Sequence, residues 1–119
     1  MEVGTLLVNV TSEQPEALSK FYREVVGLPV NTDMGELAFL VGGSTFIIDG
    51  HGETHGPTKE RARWLINFFV DDLAAEQACL EAQGVPFIRT AGQEPWGGSI
   101  STFTDPDGNY IQLVEYKPQ

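Results

Sequence analysis

The stretch "DGHGETH", residues 49–55, brings Asp49, His51, Glu53 and His55 together, and His51 and His55 are the chain's two histidines. Imidazole and carboxylate are the side chains from which divalent metal sites are built. The setting argues against that use. Glycines separate the donors, no helix fixes the spacing of the histidines, and a glycine-rich polar segment reads as an exposed linker. Cys79, the single cysteine, sits among alanines and far in sequence from either histidine. It reads as a small buried hydrophobe and leaves no partner for an internal disulfide. Asp49 and Tyr110 could act as acid or base, yet no paired titratable groups accompany them.

Other polar groups depend on strands to aim them. "TLLVNV" (5–10) alternates, with Leu6, Val8 and Val10 on one face and Thr5, Leu7 and Asn9 on the other. "WLINFFVDD" (64–72) places Leu65, Asn67 and Phe69 opposite Trp64, Ile66, Phe68 and Val70. Between them the spacing predicts a helix capped by Ser12, with Pro15 in its first turn, Leu18, Phe21, Tyr22 and Val25 on its apolar side and Gly27 at its end. A second helix should run from an Asp71 or Asp72 cap to Gln83, stopped by Gly84. Strands are expected near 28–33, 36–42, 44–49, 86–91, 98–104 and 109–116.

The order strand, helix, three strands thus occurs twice: a module over 1–50, a linker over 51–62 and a module over 63–119. "GLPV" (27–30) echoes "GVPF" (84–87), and "TLLVNV" echoes "LINFFV". Two βαβββ modules predict an α+β protein with a curled, cup-shaped mixed sheet and helices on its outer face. The alternation lines that cup with Thr5, Leu7, Asn9, Leu65, Asn67, Phe69, Tyr110, Gln112 and Val114.

Composition narrows the partners. A net charge of -10, from 17 acidic and 7 basic residues, opposes nucleic acid binding and reads first as a solvated acidic surface that favours solubility and could also draw in cationic small molecules. The absence of a leader pattern or of an apolar run near ~20 residues predicts a soluble, cytoplasmic protein without membrane contact.

"FYREVVGLPV" (21–30), "FFVDDLAAEQACLEAQGVPF" (68–87) and "WGGSISTFTDPDGNYIQLVEY" (96–116), in this order and spacing, resemble the vicinal oxygen chelate superfamily of glyoxalases, bleomycin-resistance proteins and extradiol dioxygenases. The resemblance implies paired βαβββ modules, a homodimer and a ligand cavity. It also implies a ligand set for the metal-dependent members: a His or Gln on the first strand of each module and a Glu on the last. Counting back from Val10 and Val70, these positions fall on Thr5 and Leu65, with Gln112 and either Asp49 or Ile47 on the last strands. Threonine, leucine and a neutral amide are poor substitutes for imidazole and carboxylate. The expectation is therefore a chain without metal or other cofactor and without the chemistry a metal supplies.

What remains is a cavity with shape, aromatic rings and amides. Phe69, Trp96, Phe103 and Tyr110 are candidates to stack on a planar ligand, and Asn9, Asn67 and Gln112 to orient its polar groups. No catalytic residue is assigned. The reading is a metal-free binding protein that sequesters an aromatic or cationic compound, as bleomycin-resistance proteins do, with a role in resistance or self-protection. The alternative is a glyoxalase- or dioxygenase-like enzyme with a rearranged metal site using Asp49, His51 or His55.

Overall fold

The computed structural model describes residues 1–117. The chain forms two compact units, Met1–Gly56 and Pro57–Gln119, and their strands make two open mixed sheets, which gives the expected α+β class.

In the first unit, β1 (Leu7–Thr11) runs parallel to β3 (Ser44–Asp49), and β2 (Ala38–Val41) pairs antiparallel with β3, in the order β1-β3-β2. The strand expected at 28–33 is reduced to one bridge, Val30 with Phe39. The bonds Leu40 N–H to Pro29 O (2.8 Å) and Asn31 N–H to Ala38 O (2.8 Å) flank it, and Met34 N–H then turns back onto Asn31 O (3.0 Å), which ends the ladder.

Helix α1 (Pro15–Lys20) opens on proline, whose missing N–H costs nothing in the first turn. Gln14 is the capping position, not Ser12. Ser12 acts one step earlier, where its Oγ accepts the Gln14 N–H at 2.9 Å and bends the chain into the helix. From Phe21 to Val26 the helix widens into a π-helical turn and ends at Gly27. Leu18 and Tyr22 are buried, and the Tyr22 ring meets Phe46 of β3 edge-on at 5.0 Å.

The second unit repeats this order with all its parts. β4 (Ile66–Phe69), β7 (Tyr110–Glu115), β6 (Ser99–Thr104) and β5 (Phe87–Gln93) lie side by side in that order, with β4 parallel to β7 and the other pairs antiparallel. Asp72 caps α2 (Leu73–Ala82) by accepting the Ala75 N–H at 3.0 Å. Helix α2 turns Leu73, Gln77 and Leu80 onto the sheet. That choice of face leaves Cys79 exposed, a correction to its expected burial. Gln77 is buried because it has work on both ends: Nε2 donates to Glu81 (2.9 Å) and Oε1 accepts the Ala91 N–H (2.9 Å) where β5 bulges.

The turn between β6 and β7 is organised by one carboxylate. Asp105, 5 % exposed, accepts the backbone N–H groups of Asp107 (3.0 Å) and Asn109 (2.9 Å) and the Asn109 side-chain amide (2.8 Å). Charge-assisted bonds of this kind contribute about 1.5–3 kcal/mol each and are not additive. Asp105→Ala is expected to lower the unfolding free energy by about 2–4 kcal/mol in urea denaturation. A loss below about 0.5 kcal/mol would contradict this role.

Candidate functional site

Alternation along β7 gives the second sheet two unlike faces. Ile111 and Leu113 are buried, and Glu115 on the same side accepts the Leu73 N–H at the start of α2 (3.1 Å). Tyr110, Gln112, Val114 and, past the strand end, Tyr116 take the other face. Register carries this face across all four strands. Asn67, Gln112, Thr102 and Arg89 stand opposite one another in a single row, and Phe69, Val114, Ile100 and Gly92 form the row beside it. A band of amide, amide, hydroxyl and guanidinium therefore lies next to an apolar band.

Exposure rises toward the β4 edge, from buried Thr102 through half-buried Gln112 to exposed Asn67 and Phe69, the last 72 % accessible. Gln112 Nε2 reaches Thr102 Oγ1 at 3.5 Å, and Asn67 Nδ2 donates to Leu65 O at 3.3 Å. Among the described residues no donor reaches Asn67 Oδ1 or Gln112 Oε1. Arg89 is committed to Glu94 in an ion pair.

Trp96 lies in the β5–β6 hairpin, whose tip is closed by Glu94 N–H to Gly98 O (2.7 Å). Its half-exposed ring lies over Gly98 and meets Tyr116 at 5.6 Å. Of the residues singled out in sequence, Asn67, Phe69, Tyr110 and Gln112 share this face, with Trp96 at the end where Tyr116 follows β7. Phe103 does not join them. It is fully buried opposite Ile111 and packs on Phe87 with ring centres 5.5 Å apart. Asn9 belongs to the first unit, exposed on β1 opposite Ile47. Thr102, Arg89 and Tyr116 are additions. Alternation reaches Tyr116 from Gln112, whereas Thr102 follows only from the register of β6 with β7, and the bulged register of β5 hides Arg89 from any count along the chain.

The two repeats also settle which positions correspond. Ser12 N–H bonds Asp49 O (2.9 Å) as Val70 N–H bonds Val114 O (2.8 Å), and the cap positions Gln14 and Asp72 each follow two residues later. In this alignment Asn9 corresponds to Asn67, Ile47 to Gln112 and Leu7 to Leu65. The counterpart of Leu65 is thus Leu7 rather than Thr5, and of the pair Asp49 and Ile47 it is Ile47 that matches Gln112. The extra residue in the first repeat is taken up by the π turn, since the distance from strand end to the glycines Gly27 and Gly84 is one residue longer there.

Leu7, Ile47, Leu65 and Gln112 offer one neutral carbonyl oxygen, and they do not fit a divalent ion. The "DGHGETH" donors do not converge either. His51 Nδ1 accepts the Glu53 N–H (3.0 Å), His55 lies 4.0 Å from Glu13, and Thr54 bonds Thr11 (2.7 Å). Among the described residues no three His, Cys, Asp or Glu side chains gather at one point. No helix in the described residues is long and apolar enough to cross a membrane.

The family model described as Glyoxalase/Bleomycin resistance protein/Dioxygenase superfamily matches residues 5–113. The chain has no match among curated proteins. Its fold is similar to an integron cassette protein from V. Cholerae (22% identity, 98% of each chain, TM-score 0.73). A member of the same superfamily from Sphaerobacter thermophilus is alike at 22% identity over 98% of each chain, with a TM-score of 0.68. Lactoylglutathione lyase from Agrobacterium tumefaciens matches at 18% identity over 96% of this chain and 94% of that one, with a TM-score of 0.72. At these identities the likeness is one of fold.

The packing of Trp96 over Gly98 can be tested. A Cβ at Gly98 would lie 1.9 Å from Trp96 Cζ3, so Gly98→Ala must swing the indole off Tyr116. The expected outcome is a red-shifted tryptophan emission and a weakened near-ultraviolet circular dichroism band, with the far-ultraviolet spectrum unchanged. Unaltered emission would refute the packing.

Proposed function

The chain belongs to the glyoxalase/bleomycin resistance protein/dioxygenase superfamily, and on that premise we propose that it is a metal-free binding protein that sequesters an aromatic small molecule on the open face of its second unit. One observation carries this reading: the side-chain oxygens of Asn67 and Gln112 stand in register without a donor among the described residues, beside an apolar row and the Trp96–Tyr116 pair. Rings supply stacking area at low entropic cost, and amides orient polar substituents. Of the two ligand classes expected from sequence, the cationic one rests on net charge and on the resemblance to bleomycin-resistance proteins, while exposed Phe69 and Trp96 favour the aromatic one. Binding without turnover in the cytoplasm would suit a protein of resistance or self-protection. Leu7, Ile47 and Leu65 leave a metal-dependent glyoxalase or dioxygenase reaction without its ligands. A stoichiometric divalent metal in protein purified without chelator would restore that alternative.

A homodimer is part of the same reading. β1 and β4 are sheet edges, and Leu7 and Phe69 on them are exposed, as are Leu6 and Leu65 beside them. Edges and apolar side chains of this kind are covered by pairing with a second copy. Light scattering at micromolar concentration should give twice the mass of the chain, and the mass of one chain would remove the dimer from the proposal.

Titration with planar aromatic compounds, bleomycin among them, should quench tryptophan fluorescence saturably and equally with and without EDTA. Gln112→Leu should weaken binding about fivefold, the loss of one hydrogen bond of ~1 kcal/mol. Silence across the panel would overturn the proposal.

A further inference from the structure

Lys59, Arg61 and Arg63 hold three of the chain's 7 basic residues within five consecutive positions, against 17 acidic residues overall. With Glu60, Ala62 and Tyr110 they line an open cleft of about 580 Å³. The segment that carries them is braced, although its composition reads as linker. Thr58 N–H donates to Asp107 O (2.8 Å), and the Thr58 hydroxyl donates to Asn109 Oδ1. Arg61 Nε donates to Thr58 O at 3.3 Å, and Arg63 N–H to Glu60 O at 3.1 Å. The Arg61 guanidinium also lies against Gly108, where a Cβ would come within 2.9 Å of Cζ. Only a glycine admits the cation so close to the turn.

Charge pairing inside the cleft is incomplete. Glu60 bonds Arg63, and that bond holds the Arg63 pKa above its ordinary value. Among the described residues, neither Lys59 nor Arg61 forms an ion pair with a carboxylate. The acids of the adjoining turn face inward: Asp105 is occupied by three N–H donors, and Asp107 is buried. Two cations without anionic partners among the described residues line this cleft on a braced segment, and beyond the one bond from Arg61 Nε to Thr58 O their N–H groups are open to an anionic acceptor. Phosphate and carboxylate oxygens are the acceptors that match them. The chain's net charge of -10 repels polyanions and so restricts the guest to a small one.

We infer that this cleft binds the phosphate or carboxylate group of a small molecule, with Lys59 and Arg61 as its charge-assisted donors. The site goes beyond the proposed aromatic face and stands without it, since its test uses anions that carry no ring. Amide resonances of the full chain are followed by NMR during titration with inorganic phosphate and, separately, acetate, at ionic strength held constant with sodium chloride. Saturable shifts confined to residues 58–63 and the neighbourhood of Tyr110 are expected. Saturation by phosphate alone identifies a phosphate site, and saturation by acetate identifies one that accepts carboxylates. Lys59 is exposed, so Lys59→Ala should leave the fold intact and weaken binding about tenfold, the scale of one charge-assisted bond. Lys20→Ala, which removes the same charge from α1, should not. Shifts that stay linear with both anions, or equal effects of Lys59→Ala and Lys20→Ala, would overturn the site.

Discussion

The Asp105 carboxylate sets the geometry on which the second unit depends. β7 is flanked on both sides, by β4 and β6, and the turn before it decides its register against each. By accepting three N–H groups, Asp105 closes that turn at a single length and delivers Tyr110 opposite Thr104. A slip of one residue would exchange the two faces of β7 and send Gln112 into the packing against α2. The same turn offers Asp107 O and Asn109 Oδ1 to Thr58, so the basic segment and the amide row are anchored to one small element.

The repeated order explains why the two sheets are alike, and the residues around each asparagine are where they differ. Each repeat keeps the parallel pairing of its first and last strands, the glycine that ends its helix and an asparagine at the same position of its first strand. Around Asn67 the neighbours across the sheet are Gln112 and Thr102; around Asn9 they are Ile47 and Ala38. The polar row is thus a property of the second repeat. The leucines Leu7 and Leu65 stand on the exposed face in both, where a ligating residue would have to stand.

Much of this was legible because alternation and helical spacing act locally. β3 begins and ends where the sequence puts it, and α2 follows from Asp72, Leu73, Leu80 and Gly84. The departures share a cause: they are set by partners distant in sequence. The spacing of Leu18, Phe21, Tyr22 and Val25 fits an ordinary helix, and only the strand ladder shows that a residue is left over for the π turn. Phe103 falls on the packed face because of its register with Ile111, which no count along β6 alone supplies. Cys79 is exposed because Gln77, a polar residue, takes a buried position that apolar spacing would not assign to it. The segment over 51–62 reads as a linker because its bracing comes from Asp107 and Asn109, some fifty residues further on.

Net charge and local charge point in opposite directions here, and distance decides which governs. The field of 17 acids against 7 bases acts on anything approaching from solution, and at physiological salt it is screened beyond about 8 Å. Inside a cleft lined by Lys59 and Arg61 the nearest charges dominate, because Coulomb energy falls with separation and rises where water is displaced. An acidic surface therefore does not make every site on it a cation site. Tyr110 lines the cleft and also occupies the face that carries Gln112, two residues further along β7 and about 7 Å away at the rise of a strand.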